Sequence, residues 1–100
     1  MSEFREYPNY DGLGLAELVR QKQISAIELV EAAIERIERH NPALNAVIYK
    51  MYETARTAAQ QPLPEGPFAG VPMLLKDLLA TVTGVPTSSG NKLWRNIPAR

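Results

Sequence analysis

Six of the eleven residues from 62 to 72 are proline or glycine: Pro62, Pro64, Gly66, Pro67, Gly70 and Pro72. Proline removes a backbone donor and fixes φ, and glycine favours turns, so regular structure is broken across this stretch. Upstream, residues 43–61 contain neither type. The chain is therefore expected to divide into a mostly helical N-terminal part, a proline-rich crossing, and a strand-and-loop part. Its 100 residues suffice for one small domain and not for two.

The clearest local signal predicts a helix over 26–40. Ser25 with Glu28 three residues on is a capping box, each side chain covering an orphan backbone N–H. Ile24 and Leu29 sit where a hydrophobic staple forms. Ile27, Val30, Ile34 and Ile37, with Ala26, Leu29 and Ala33, fall on one side at 100° per residue. Glu28, Glu31, Glu35, Glu38 and Arg39 take the other, and Glu35–Arg39 is a favourable i,i+4 pair. Asn41-Pro42 is expected to stop the helix, because proline biases its predecessor out of the α region. Apolar spacing predicts further helices over 15–22 and 52–61. The segment 45–51 mixes β-formers with alanine and reads as a strand, and 71–75 reads as a buried strand, a short apolar run between breakers. Gly84, Pro86, Ser88, Ser89 and Gly90 mark a loop. No internal repeat is visible.

Composition narrows the function. Eleven Lys and Arg balance eleven Asp and Glu, which implies no field-driven partner such as nucleic acid or an anionic membrane. The absence of cysteine excludes disulfides, zinc–thiolate clusters and a cysteine nucleophile from these 100 residues. The opening Met-Ser-Glu-Phe-Arg-Glu has no apolar core of a secretory signal, and no apolar run approaches the length of a membrane span. A cytoplasmic location is expected, with no membrane contact. No cofactor and no metal are expected either.

Most candidate chemistry has a simple structural reading. Gly12-Leu-Gly14 lacks the preceding strand and third glycine of a dinucleotide loop. His40, the only histidine, falls in the last turn of the expected 26–40 helix, where a cation meets the negative end of the dipole. The glutamate ladder reads as a solvated face. Trp94 and the tyrosines at 7, 10, 49 and 52 lack the basic interleaving of a base-stacking surface and read as core or partial core. Ser88-Ser89 lacks the Gly-x-Ser-x-Gly elbow and reads as a turn with hydroxyl capping. Lys76 is different, because it closes the apolar run 71–75. A lysine in that place must snorkel, pair with a carboxylate such as Asp77, or lose its proton and become able to act as a base. Spacing by itself favours the first two.

At Lys76 the chain resembles a known family. Gly66-Pro-Phe-Ala-Gly70-Val-Pro72-Met-Leu-Leu-Lys76-Asp77, followed by Gly84-Val-Pro-Thr87-Ser-Ser-Gly90-Asn, is similar to the N-terminal region of the amidase signature family. The upstream helix from Ile24 to Val30 and the segment from Asn41 to Ala46 are also typical of it, so the resemblance runs from about Leu15 onward. It implies an α/β fold, a mixed β-sheet flanked by helices, of which residues 1–100 would form a single partial domain at the N-terminal end of a longer amidase domain. It implies hydrolysis of a small-molecule amide by a Ser–cis-Ser–Lys triad, with Lys76 matching the lysine. That lysine takes up a proton through the bridging serine, whose non-proline cis peptide is intrinsically costly. The nucleophilic serine forms the acyl-enzyme, and backbone N–H groups stabilise the oxyanion.

Both family serines lie further downstream than Arg100, and Ser88 and Ser89 match an earlier loop, so neither receives a catalytic role. A chain holding one triad member of three is expected to be a piece of a longer amidase and inactive alone. Two alternatives stand beside this: the amidase subunit of a tRNA-dependent amidotransferase, and a non-catalytic helical interaction module. A homo-oligomer is compatible with the resemblance.

Overall fold

The computed structural model describes residues 4–77, 82–86, 88–89 and 98. After a 3-10 turn over Tyr7–Asn9, three helices follow in chain order: α1 (Gly12–Arg20), α2 (Ala26–Leu44) and α3 (Tyr52–Ala59).

Helix α1 begins three residues before the expected 15–22 segment. Asp11 is the reason: its Oδ1 accepts from the Gly14 N–H at 2.7 Å, an N-cap that draws both glycines into the first turn. The helix ends in a Schellman arrangement, in which the Lys22 N–H donates to the Val19 carbonyl and the Gln23 N–H to the Leu18 carbonyl, each at 3.0 Å. Lys22 takes the left-handed conformation, φ 58°, that glycine usually supplies there.

The capping box of α2 is present as expected. The Glu28 N–H donates to Ser25 Oγ and the Ser25 N–H to Glu28 Oε1, both at 3.2 Å. The helix does not stop at Asn41-Pro42, however, but carries Pro42 inside it and ends at Leu44. Asn41 explains the extension. Its Oδ1 accepts from the Val47 N–H at 2.8 Å, and its Nδ2 donates to the Val47 carbonyl at 2.9 Å, folding the following chain back onto the helix. Pro42 forfeits one helical donor, and a further turn closes at Asn45 (φ 48°), whose N–H donates to the Asn41 carbonyl at 2.7 Å. The same contacts account for the missing strand at 45–51. Both backbone polar groups of Val47, which a sheet ladder would need, are already taken by Asn41.

The core lies between α1 and the N-terminal half of α2. Leu15, Ile24 and Leu29 form its buried centre, with Phe4, Tyr7, Leu18, Val19 and Val71 packed around it. Leu29 is fully buried. Helix α3 contributes no buried residue, and ion pairs from it and from the residues just before it reach α2. Arg56 Nε meets Glu31 Oε1 at 2.6 Å, and Lys50 Nζ meets Glu38 Oε2 at 2.8 Å. Two members of the glutamate ladder are thus docking points rather than a purely solvated face; Glu35 pairs with Arg39 at 3.3 Å as expected. Of the tyrosines, Tyr7 and Tyr52 are half-buried, while Tyr10 and Tyr49 are exposed.

The buried strand expected over 71–75 is absent. These residues form no helix or strand, and Met73, Leu74 and Leu75 are 76%, 68% and 48% exposed. A strand exists only through ladder partners, and none pairs with 71–75 among the described residues. An isolated bridge between Pro86 and Pro98 is all the sheet-like pairing that the described segments complete. The fold described is helical, and the mixed sheet does not form within it. Trp94, Thr87 and Gly90 lie outside the described residues.

Candidate active site

Gly70 sets the direction of the segment that carries Lys76. Its φ of +86° suits glycine, and an added Cβ would stand 3.2 Å from both Leu63 Cδ1 and Val19 Cγ1. The backbone therefore passes tightly between the proline-rich crossing and α1. Val71 turns back through its N–H to the Phe68 carbonyl at 3.1 Å and packs on the core. From there the chain runs outward through the exposed side chains of 73–75 to Lys76.

Lys76 is exposed and has no ion pair or hydrogen bond among the described residues. The simple reading of a Lys76–Asp77 ion pair is not what this chain forms. Asp77 is engaged with Ser88: its Oδ1 accepts from the Ser88 N–H at 2.7 Å, and its Oδ2 from Ser88 Oγ at 2.5 Å. Ser88 is 8% exposed, the one buried polar residue among those described. Hydrogen bonds to a charged acceptor are typically worth about 1.5–3 kcal/mol each, so the two bonds are a substantial clamp between Asp77 and Ser88. Gly84 (φ +84°) and Ser89 (φ 51°) supply the turning positions near its far end, in keeping with the loop expected there.

The other candidates separate from this place. His40 is exposed and sits one turn before the end of α2, not in its last turn, because the helix continues to Leu44. It lines a shallow depression with Arg36, Ile37, Leu44 and Val47. Gly12 and Gly14 are helical residues. Among the described residues, no three His, Asp or Glu side chains stand close enough together to hold a metal ion. The Asp77–Ser88 contact is one that reading the sequence missed. Its sequence signal was an acidic residue directly after the lysine and a serine in a glycine-rich loop eleven residues on.

The chain can now be set beside known proteins. The sequence profile of the Amidase family matches residues 28–100. The chain belongs to the amidase family. Among curated relatives of this amidase-family chain, the 6-aminohexanoate-cyclic-dimer hydrolase of Paenarthrobacter ureafaciens is 49% identical over 80 residues, covering 79% of this chain and 16% of that protein. The putative amidase AmiC of Mycobacterium tuberculosis strain H37Rv is 40% identical over 85 residues, covering 84% and 18%. The lipoamidase of Enterococcus faecalis is 42% identical over 86 residues, covering 85% and 12%. Among solved structures, a bacterial aryl acylamidase of the amidase signature family superposes with a TM-score of 0.80 at 38% identity, over 90% of this chain and 20% of that one. The chain thus spans less than a fifth of the length of these curated relatives.

Proposed function

We propose that the chain is the N-terminal portion of an amide-bond hydrolase and supplies the lysine, Lys76, of a Ser–cis-Ser–Lys triad whose serines come from the rest of the protein. The observation that carries this reading is the exposed amine of Lys76, without an ion pair or hydrogen bond among the described residues, within the Gly70–Asp77 motif of an amidase-family chain. In this reaction the free amine of Lys76 takes the proton of the bridging serine, which takes that of the nucleophilic serine. The serine oxygen bonds to the substrate carbonyl carbon, backbone N–H groups hold the oxyanion, and the C–N bond breaks as the leaving amine is protonated. Water then cleaves the acyl-enzyme and releases the acid.

A lysine serves as base only as the free amine, which apolar surroundings favour. Lys76 is exposed here, so those surroundings would be furnished by the remaining four-fifths of the enzyme, as would the sheet that receives 71–75. The differing names of the relatives support small-molecule amides as the substrate class, and nothing narrower. Hydrolase and amidase names among them favour hydrolysis over an amidotransferase role, and the family match favours an enzyme over an interaction module. The same proposal places the enzyme in the cytoplasm, free of membrane and nucleic acid, with self-association as its macromolecular contact.

The test compares Lys76→Ala and Lys76→Arg in the longer parent enzyme, with the 100-residue chain as a control that is expected to turn over no amide. Loss of a general base typically lowers turnover by about 10² to 10⁴-fold. Arginine should do nearly as badly, because a guanidinium stays protonated. An active, well-folded Lys76→Arg enzyme would overturn the assignment.

A further inference from the structure

We infer that Asp77 is a positioning residue for Lys76, acting through its two-point attachment to Ser88; this rests on the reading of Lys76 as the proton acceptor. Residues 71–76 belong to no helix or strand, so no regular backbone ladder fixes the direction of the lysine. Beyond the turn at Gly70 and the packing of Val71, the next residue in the chain supplies a second fixed point. Asp77 spends one carboxylate oxygen on the Ser88 N–H and the other on Ser88 Oγ, at 2.7 and 2.5 Å. Two bonds to one residue fix orientation as well as distance. Ser88 is buried, whereas Lys76, adjacent to Asp77 in sequence, is exposed.

This geometry separates two roles for an acidic residue beside a lysine. A counter-ion would turn its carboxylate toward the ammonium. Asp77 instead turns both oxygens to Ser88, so its influence on Lys76 passes through the backbone they share. Fixing the reacting group matters because a misplacement of about 1 Å can cost on the order of 10²-fold in rate.

The experiment uses the longer parent enzyme and a simple anilide, with kcat, KM and melting temperature measured for each variant. Asp77→Ala is expected to lower kcat by about 10- to 100-fold with KM nearly unchanged. Asp77→Asn keeps an acceptor for the Ser88 N–H and a donor for Ser88 Oγ, and should recover most of the lost turnover. Ser88→Ala retains the backbone bond and should lose less than Asp77→Ala. An Asn variant as slow as the Ala variant would overturn positioning in favour of a charge role. Full activity of Asp77→Ala would overturn it outright. Should Asp77→Ala fail to fold, Ser88→Ala decides: unchanged kcat sinks the proposal, and a fall at constant KM and melting temperature supports it. Lys76→Ala is measured in parallel. If that variant is active, the lysine assignment itself has failed; if it is dead while Asp77→Ala is normal, only the positioning role has.

Discussion

Lys22 shows how much a single backbone angle can decide. It occupies the left-handed position that closes α1 and turns the chain toward α2, with φ 58°. For a residue with a Cβ this conformation costs roughly 1–2 kcal/mol, whereas glycine adopts it freely but loses more entropy on folding. Lys22→Gly is therefore expected to stabilise the helical frame by about 0.5–1 kcal/mol, read as a higher denaturation midpoint. A lower midpoint would mean that the lysine side chain contributes something its angle does not reveal. At this scale the sequence was legible where a side chain caps a helix within three residues, as Ser25 and Glu28 do. It was less so at Asp11, where the apolar spacing began later and the cap was passed over. It was illegible at Asn41, whose partner is the backbone of Val47, because nothing in residue type announces a bond from side chain to a distant main chain.

Among the elements, α3 is held differently from the other two helices. With no buried residue, it is tied to α2 by Glu31–Arg56, and Lys50, two residues before its start, pairs with Glu38. The hydrogen bond from Lys50 holds the Glu38 carboxyl below the usual carboxylate range, and the same bond holds the Lys50 ammonium above the usual lysine value. The two shifts act at opposite ends of the pH scale. A lowered carboxyl stabilises docking above its unfolded pKa and loses that contribution as pH falls through the folded value. A raised ammonium stabilises docking below its unfolded pKa and loses it as pH rises through the folded value. Docking beside α3 should therefore be firmest from just above the ordinary carboxylate range up to the ordinary lysine range and loosen at acid and alkaline extremes. Because these groups are exposed, salt should weaken it as well. Hydrogen exchange of the α3 amides, followed against pH and ionic strength, would show this; exchange independent of both would mean that packing holds the helix. The apolar stripe of α2 was readable because burial repeats with the helical period. The ion pairs to α3 were not, since a glutamate facing solvent and one facing an arginine twenty-five residues away have the same local pattern.

For the molecule as a whole, the decisive feature is what stays uncovered. Phe68, Met73, Leu74 and Leu75 are all exposed, the last three consecutive, and the radius of gyration is 14.6 Å against about 13 Å for a compact domain of this length. A contiguous apolar segment without partners tends to pair with another copy. The 100-residue chain should accordingly sediment as a concentration-dependent mixture, and Leu74→Lys should shift it toward monomer. An unsubstituted 100-residue chain that remains monomeric at every concentration would refute this. The strand reading of 71–75 caught the chemistry of those side chains and missed their setting, because burial on both faces depends on neighbours that an apolar run does not contain. The helical frame has a further consequence for synthesis. Its contacts close within the stretch from Phe4 to Ala59, together with Val71. At 5–20 residues per second, the seventeen residues from the end of α3 to Lys76 take about 1–3 s to make. The frame can thus assemble at the ribosome exit while the greasy segment is still emerging, and that segment then spends the rest of translation in reach of chaperones.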